Sequence, residues 1–126
     1  MASVKGAVPL FYIPMFEDIR LYVLTLPDTE ECTPFGEDIL VYKLKGHIFL
    51  LARISGYPIP LSLKCDPEEA IELRARYDTI IPGYHLNKRH WITLLEPDRL
   101  PQELVRGLIY KSYQLVQSKL PKRLRE

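Results

Sequence analysis

The fold class is decided by residues 39–54, Ile39-Leu40-Val41-Tyr42-Lys43-Leu44-Lys45-Gly46-His47-Ile48-Phe49-Leu50-Leu51-Ala52-Arg53-Ile54. Two runs rich in aliphatic and aromatic side chains, Ile39–Leu44 and Ile48–Ile54, flank a Lys45-Gly46 pair. Such residues suit a pleated surface, and a glycine between the runs supplies the positive φ of a tight turn, so the stretch predicts a β-hairpin. Both faces of the hairpin carry large apolar groups. It is therefore expected in the middle of a sheet, covered on at least one side.

Downstream, Pro58 and Pro60 punctuate a loop before a short strand, Pro60 to Lys64. Asp66-Pro67-Glu68-Glu69 then predicts a helix start. Asp66 is the N-cap, Pro67 occupies the first position where no amide hydrogen is missed, and Glu69 is expected to reach back to the cap amide. This helix is expected to run to about Tyr77, burying Ala70, Leu73 and Tyr77, with Glu68, Glu72 and Arg76 in water. Ile80-Ile81-Pro82-Gly83 reads as a turn, and Trp91–Leu95 as a strand with the indole packed inside. From Pro101, the residues Leu104, Val105, Leu108, Ile109, Tyr113, Leu115 and Val116 form a broad apolar stripe, with Arg106, Lys111, Gln114 and Gln117 opposite, and Pro121 ends the run. Upstream, Phe16, Ile19, Val23 and Leu26 recur at helical spacing over about residues 15–26, with Asp18 and Arg20 on the wet side. The order helix, antiparallel strands, helix, strand, helix predicts an α+β two-layer domain with helices on one face of an antiparallel sheet.

Length and composition agree. A chain of 126 residues, 47% hydrophobic, is one globular domain over residues 15–126, preceded by a tail or extra edge strand at residues 1–14. The net charge of +1 does not point to nucleic acid, but its distribution is uneven: residues 1–63 hold five Lys/Arg against seven Asp/Glu, and residues 64–126 hold twelve against nine. Lys119, Lys122, Arg123 and Arg125 crowd the C-terminus. A basic end on a near-neutral body produces a local field without a global one, although solvated helix ends often look the same. Cys32 and Cys65 make no metal-type or redox spacing. No secretory leader or run of roughly 20 apolar residues is visible, so a cytoplasmic protein with reduced thiols is expected, with a monomer favoured.

Residues 83–91, Gly-Tyr-His-Leu-Asn-Lys-Arg-His-Trp, concentrate the chemistry. Two imidazoles, two cations, an amide and the chain's one tryptophan suit contact with a polyanion or with planar rings. His85 and His90 are five apart with no carboxylate between them, which completes no metal site. Cys65 precedes a helix start, where the dipole can lower a thiol pKa, yet a half-buried strand residue reads the same way. No nucleophile-base-orienter set and no glycine-rich phosphate loop occurs, so neither an enzyme nor a cofactor is expected. Lys88 and Arg89 have no evident structural task and suit phosphate oxygens. Asn87 suits a left-handed turn conformation, and His85 and Asn87 equally suit satisfying backbone groups of a neighbouring helix end.

Taken with their flanks, these residues carry a resemblance. Leu63-Lys64-Cys65-Asp66-Pro67, the segment Pro82–Trp91, and Ser112-Tyr113-Gln114-Leu115-Val116 follow one another in the order of the MmcQ/YjbR-like family of small bacterial proteins. Thr33-Pro34-Phe35-Gly36-Glu37 and Lys119-Leu120-Pro121-Lys122 fit the same pattern. From about Met15 onward the chain resembles that family. The resemblance implies a fold similar to CyaY, the bacterial frataxin-like protein, and DNA binding through two turns flanking a helix, a double-wing motif. Iron binding by the frataxin analogy needs an acidic surface, and the first helix offers only Glu17 and Asp18 beside Arg20.

The expected function is weak, largely non-specific DNA binding through His85, Asn87, Lys88, Arg89 and His90 together with Lys119, Lys122, Arg123 and Arg125. Lys43 and Lys45 at the hairpin turn would act as a wing. The alternative is a small-molecule or protein-binding module that uses the His85–His90 segment as an anion pocket.

Overall fold

The computed structural model describes residues 13–124. Three helices, α1 (Ile13–Leu24), α2 (Pro67–Arg76) and α3 (Gln102–Ser118), accompany six strands. The strands are β1 (Thr29–Cys32), β2 (Ile39–Leu44), β3 (His47–Arg53), β4 (Leu61–Lys64), β5 (Ile80–Pro82) and β6 (Trp91–Leu94). They form one antiparallel sheet in the order β1-β2-β3-β4-β6-β5. The expected α+β fold and the central place of the hairpin are both found. The expected N-terminal tail or edge strand lies outside the described residues up to position 12, and Ile13-Pro14 open α1.

Lys45 and Gly46 both take positive φ, 49° and 87°, so the whole two-residue turn is left-handed, as a hairpin connection matched to strand twist requires. Between the Tyr42–Leu50 and Lys43–Ile48 pairs, β3 carries one extra residue, Phe49. This bulge brings the consecutive side chains Phe49 and Leu50 both into the core. A bulged residue also leaves a ladder group unpaired. Here the Ser112 hydroxyl of α3 donates to the Phe49 carbonyl at 2.6 Å and accepts the Lys64 amide hydrogen at 2.9 Å. Ser112 is wholly buried. Its neighbour Tyr113 meets the Phe49 ring edge-on at 5.4 Å and donates its hydroxyl to the Pro27 carbonyl at 2.7 Å. The Ser-Tyr pair thus fastens the long helix to two strands and to the α1–β1 connection.

Two strands are absent from the sequence expectation. β1 is short and carries Glu30-Glu31, a poor strand signal. Glu31 accepts a bidentate pair from Arg20 of α1, at 2.8 and 3.0 Å, and the Tyr42 hydroxyl at 2.6 Å. The bonds from Arg20, then those from Tyr42, hold the Glu31 carboxyl below its ordinary pKa against the cost of burial. Arg20, expected to face water, is therefore committed to this edge. β5 replaces the expected turn at residues 80–83. It lies at the sheet's far edge, where Pro82 needs no ladder hydrogen.

Helix boundaries shift for local reasons. α1 ends at Leu24, and Leu26 still reaches the core through a turn closed onto Val23. Asp66 caps α2 as expected, accepting from the Glu68 and Glu69 amides at 3.2 and 3.3 Å. Glu69 does not return the bond, because its carboxylate accepts Lys111 of α3 at 2.7 Å instead. Tyr77 is the C-cap and only half-buried.

Register sorts the sheet residues onto two faces. Tyr42, Leu44, Leu50, Ala52, Leu61, Leu63, Ile92 and Leu94 are buried on the face that Ile19, Val23, Leu108 and Ile109 cover. The opposite face reads in three rows across the strands. Ile39, Arg53, Pro60 and Leu95 form the first, and Val41, Leu51, Ser62 and Thr93 the second. Lys43, Lys64 and Trp91 lie in the third, at the end of the sheet that bears the hairpin turn.

Ser112→Ala would strip two buried backbone groups of their partner. A loss of roughly 2–6 kcal/mol in chemical unfolding is expected, at about 1–3 kcal/mol for each orphaned group. A change within about 0.5 kcal/mol would contradict the bridging role.

Candidate functional site

The connection between β5 and β6 is a tightly tied loop. Gly83 donates its amide hydrogen to the Trp91 carbonyl at 2.8 Å, and a Cβ at Gly83 would lie 2.6 Å from the Trp91 Cβ, so only glycine fits. His85 takes the left-handed conformation, with φ 60°. The Asn87 side-chain oxygen accepts the amide hydrogens of Arg89 and His90 at 2.9 and 3.3 Å, while its main-chain carbonyl accepts that of Trp91 at 3.0 Å. Asn87 is thus the cap of a turn, and the left-handed residue is His85. The Lys88 ammonium donates to the Gly83 carbonyl at 3.0 Å, a structural task that the sequence does not disclose.

Trp91 is half-buried rather than enclosed, because register places it on the sheet face opposite the helices. Its ring lies 5.9 Å beneath the Lys64 ammonium. Around this pair opens a cleft of about 490 Å³ between the loop, the start of α2 and the end of α3. Lys64, Asn87, His90 and Lys119 bring polar groups to it, together with Cys65 and Asp66. Burial and then the charge of Lys119 hold the Lys64 pKa below its ordinary value. Two ammonium groups that repel one another across a cleft favour an anion between them. Among the described residues the one carboxylate in the wall, Asp66, already caps α2.

The expected site residues therefore divide. Asn87, His90 and Lys119 meet at the cleft. His85 turns to a different hollow, with its ring centroid 4.0 Å from that of Tyr84. Arg89 is exposed beside the capped turn, and Lys88 is folded back. Lys122 and Arg123 are exposed on a 3-10 turn, Lys122–Leu124, past the end of α3, and Arg125 lies outside the described residues. Lys64 is the contributor that sequence reasoning missed. Apart from its place in the motif Leu63–Pro67, its sequence signal is the alternation Leu61-Ser62-Leu63-Lys64, which puts Lys64 on the face opposite the buried leucines. Among the described residues no group of three or more His, Cys, Asp or Glu converges to hold a metal ion. None of the described helices is long and apolar enough to cross a membrane.

Cys65 sits at the cleft's floor, 4% exposed, and donates its amide hydrogen to the His90 carbonyl at 2.9 Å. Burial, followed by the Glu69 and Asp66 carboxylates, pushes its thiol up to about 12. The helix dipole does not activate it. At pH 8, iodoacetamide should leave Cys65 unmodified in the native protein and label it once denaturant unfolds the chain, as site-resolved mass spectrometry would read. Labelling of native Cys65 at the rate of a free thiol would contradict this burial.

Comparisons with known proteins agree with the motif order. The family model YjbR matches residues 24–115. The Escherichia coli O157:H7 protein YbdF is 38% identical over 110 residues, 86% of this chain and 89% of its own. YjbR of Escherichia coli strain K12 is 29% identical over 109 residues, 86% and 92% respectively. The crystal structure of Deinococcus radiodurans protein DR2400, a DUF419 domain, superimposes with a TM-score of 0.81 at 39% identity, covering 87% of this chain and 84% of that one. A Pseudomonas syringae protein structure gives 0.67 at 28% identity, covering 79% and 96%. With the model spanning most of the sheet, the loop and α3, the chain belongs to the YjbR family.

Proposed function

We propose that the protein binds DNA through backbone phosphates, weakly and largely without sequence preference. The observation that carries this reading is the convergence of Lys64, His90 and Lys119 on one cleft beside Asn87. Phosphate oxygens suit such a set of ammonium, imidazole and amide donors. Strand register adds a second support. The hairpin turn with Lys43 and Lys45, the end of β4 at Lys64, and the loop 83–90 with Arg89 all lie at one end of the sheet. In this reading the two turns at that end serve as the wings that the family resemblance implies. Lys45 contributes less, since it pairs with Asp28 at 3.8 Å. Among the described helices none presents a compact array of base-reading Arg, Asn and Gln, which favours binding by charge rather than by sequence.

A second reading is favoured by the two ammonium groups that line one cleft: one small anion held between Lys64 and Lys119. Salt separates the two, because phosphate tracking along a duplex weakens steeply with ionic strength and a single shaped pocket does so much less.

A labelled duplex followed by fluorescence anisotropy should bind with a Kd on the order of 10⁻⁴ to 10⁻⁶ M at physiological salt. Arg89→Ala should lower the slope of log K against log salt by about one unit, and Lys64→Gln with Lys119→Gln by about two, with folding intact. Absence of duplex binding at low salt by folded protein would overturn the DNA reading. Saturable binding of inorganic phosphate or pyrophosphate in that case would establish the small-anion reading.

A further inference from the structure

The first two rows of the sheet face opposite the described helices form a hollow that the phosphate-binding reading does not use. Its volume is about 390 Å³, within the range of small-molecule sites of roughly 300–1,000 Å³. Ile39, Leu51 and Leu95 give it an aliphatic floor. Two aromatic side chains flank it from opposite sides of the sheet. Phe35, 61% exposed, comes from the β1–β2 connection, and Tyr84, 53% exposed, from the β5–β6 loop. Exposed aromatic rings that flank an aliphatic floor are a solvation cost that a bound apolar body removes.

The polar groups are few and convergent. The Arg53 guanidinium stands at the rim, 5.8 Å from the Tyr84 ring centroid, and among the described residues no carboxylate pairs with it. Ser62 and Thr93 share a hydrogen bond of 2.8 Å on the floor. Thr93 Oγ1 also accepts the Tyr84 amide hydrogen at 3.0 Å and is 2% exposed, and among the described residues its own hydrogen has no other acceptor. Its hydroxyl hydrogen therefore goes to Ser62, which leaves the Ser62 hydroxyl hydrogen available to an acceptor in the hollow. An unpaired guanidinium and one spare hydroxyl donor, set on an apolar floor between aromatic rings, are complementary to a flat apolar body with one carboxylate.

We infer that this face is a binding site for a small aromatic carboxylate, which lies on Leu51 and Leu95 between Phe35 and Tyr84 with its carboxylate on Arg53. The guanidinium fork meets both carboxylate oxygens, and the Ser62 hydroxyl donates to the ligand's edge. The site is independent of the Lys64–Lys119 cleft, since the two share no residue.

The probe is 2-naphthoate, with 2-naphthamide as its neutral counterpart, titrated into the full chain by calorimetry and amide chemical-shift mapping. Naphthoate should saturate and shift the amides of Leu51, Ser62, Tyr84 and Leu95, and the amide should bind at least about tenfold more weakly. Arg53→Gln and, separately, Phe35→Ala should each weaken naphthoate about tenfold with an unchanged melting temperature. Both residues are exposed, so folding is not at stake. Failure of naphthoate to bind at millimolar concentration, or equal binding of the amide, would overturn the inference. So would indifference to Arg53→Gln. Self-association that Phe35→Ala abolishes and that blocks naphthoate would assign the face to a second copy of the chain and overturn it as well.

Discussion

One hydroxyl holds the two layers in register. Ser112 answers both the carbonyl that the β3 bulge leaves over and the amide at the end of β4. A buried backbone group without a partner costs on the order of 1–3 kcal/mol, so the bulge is tolerable only with that hydroxyl beside it. The consequences propagate. The bulge sends Phe49 into the core against Tyr113, and Tyr113 ties down the α1–β1 turn. The bond to the Lys64 amide fixes the end of β4, and the Lys64 side chain then projects to the other face over Trp91. The packing side of the sheet thereby sets the position of the cation at the sheet's end, where the start of α2 and the end of α3 border the cleft.

The other face of the sheet is graded. Its first two rows are mainly aliphatic, with Arg53, Ser62 and Thr93 among them and the loop residues Phe35 and Tyr84 flanking, and the third joins Lys43 and Lys64 to Trp91. The loop 83–90 straddles the grade: Tyr84 and His85 face the apolar hollow, Asn87 and His90 the cationic cleft. Its shape comes from a few obligatory contacts, namely glycine against Trp91, the Asn87 cap and the Lys88 strap to Gly83. The density of polar residues in this segment is therefore partly the cost of building so tight a turn and partly the means of presenting Arg89 and His90.

The hairpin, the Asp66-Pro67 helix start and the apolar stripe of α3 were legible because each rests on local chemistry: turn sterics, capping and helical period. β1 was not, since Glu31 earns its place through Arg20 and Tyr42, contacts invisible along the chain. Residues 80–83 read as a turn in the sequence because Pro82 and Gly83 are turn formers, and only the edge position lets Pro82 end a strand. The sequence places Trp91 inside because an indole that opens an apolar strand usually packs in the core, and only the cross-strand pairing with Lys64 reveals its exposed face. The site was half legible. Composition marked the 83–91 segment and Lys119, but nothing short of register could bring Lys64 to them or show Lys88 to be occupied.

The central claim is that the Lys64–His90–Lys119 end of the sheet receives phosphate. Amide and side-chain NMR shifts recorded while a short DNA duplex is titrated at low salt test it most directly. The account predicts saturable shifts confined to Lys64, residues 87–91, Lys119 and the hairpin turn, with α1 and the Phe35–Arg53 hollow unmoved. Shifts centred on α1 or spread evenly over the surface, or none at all, would contradict it.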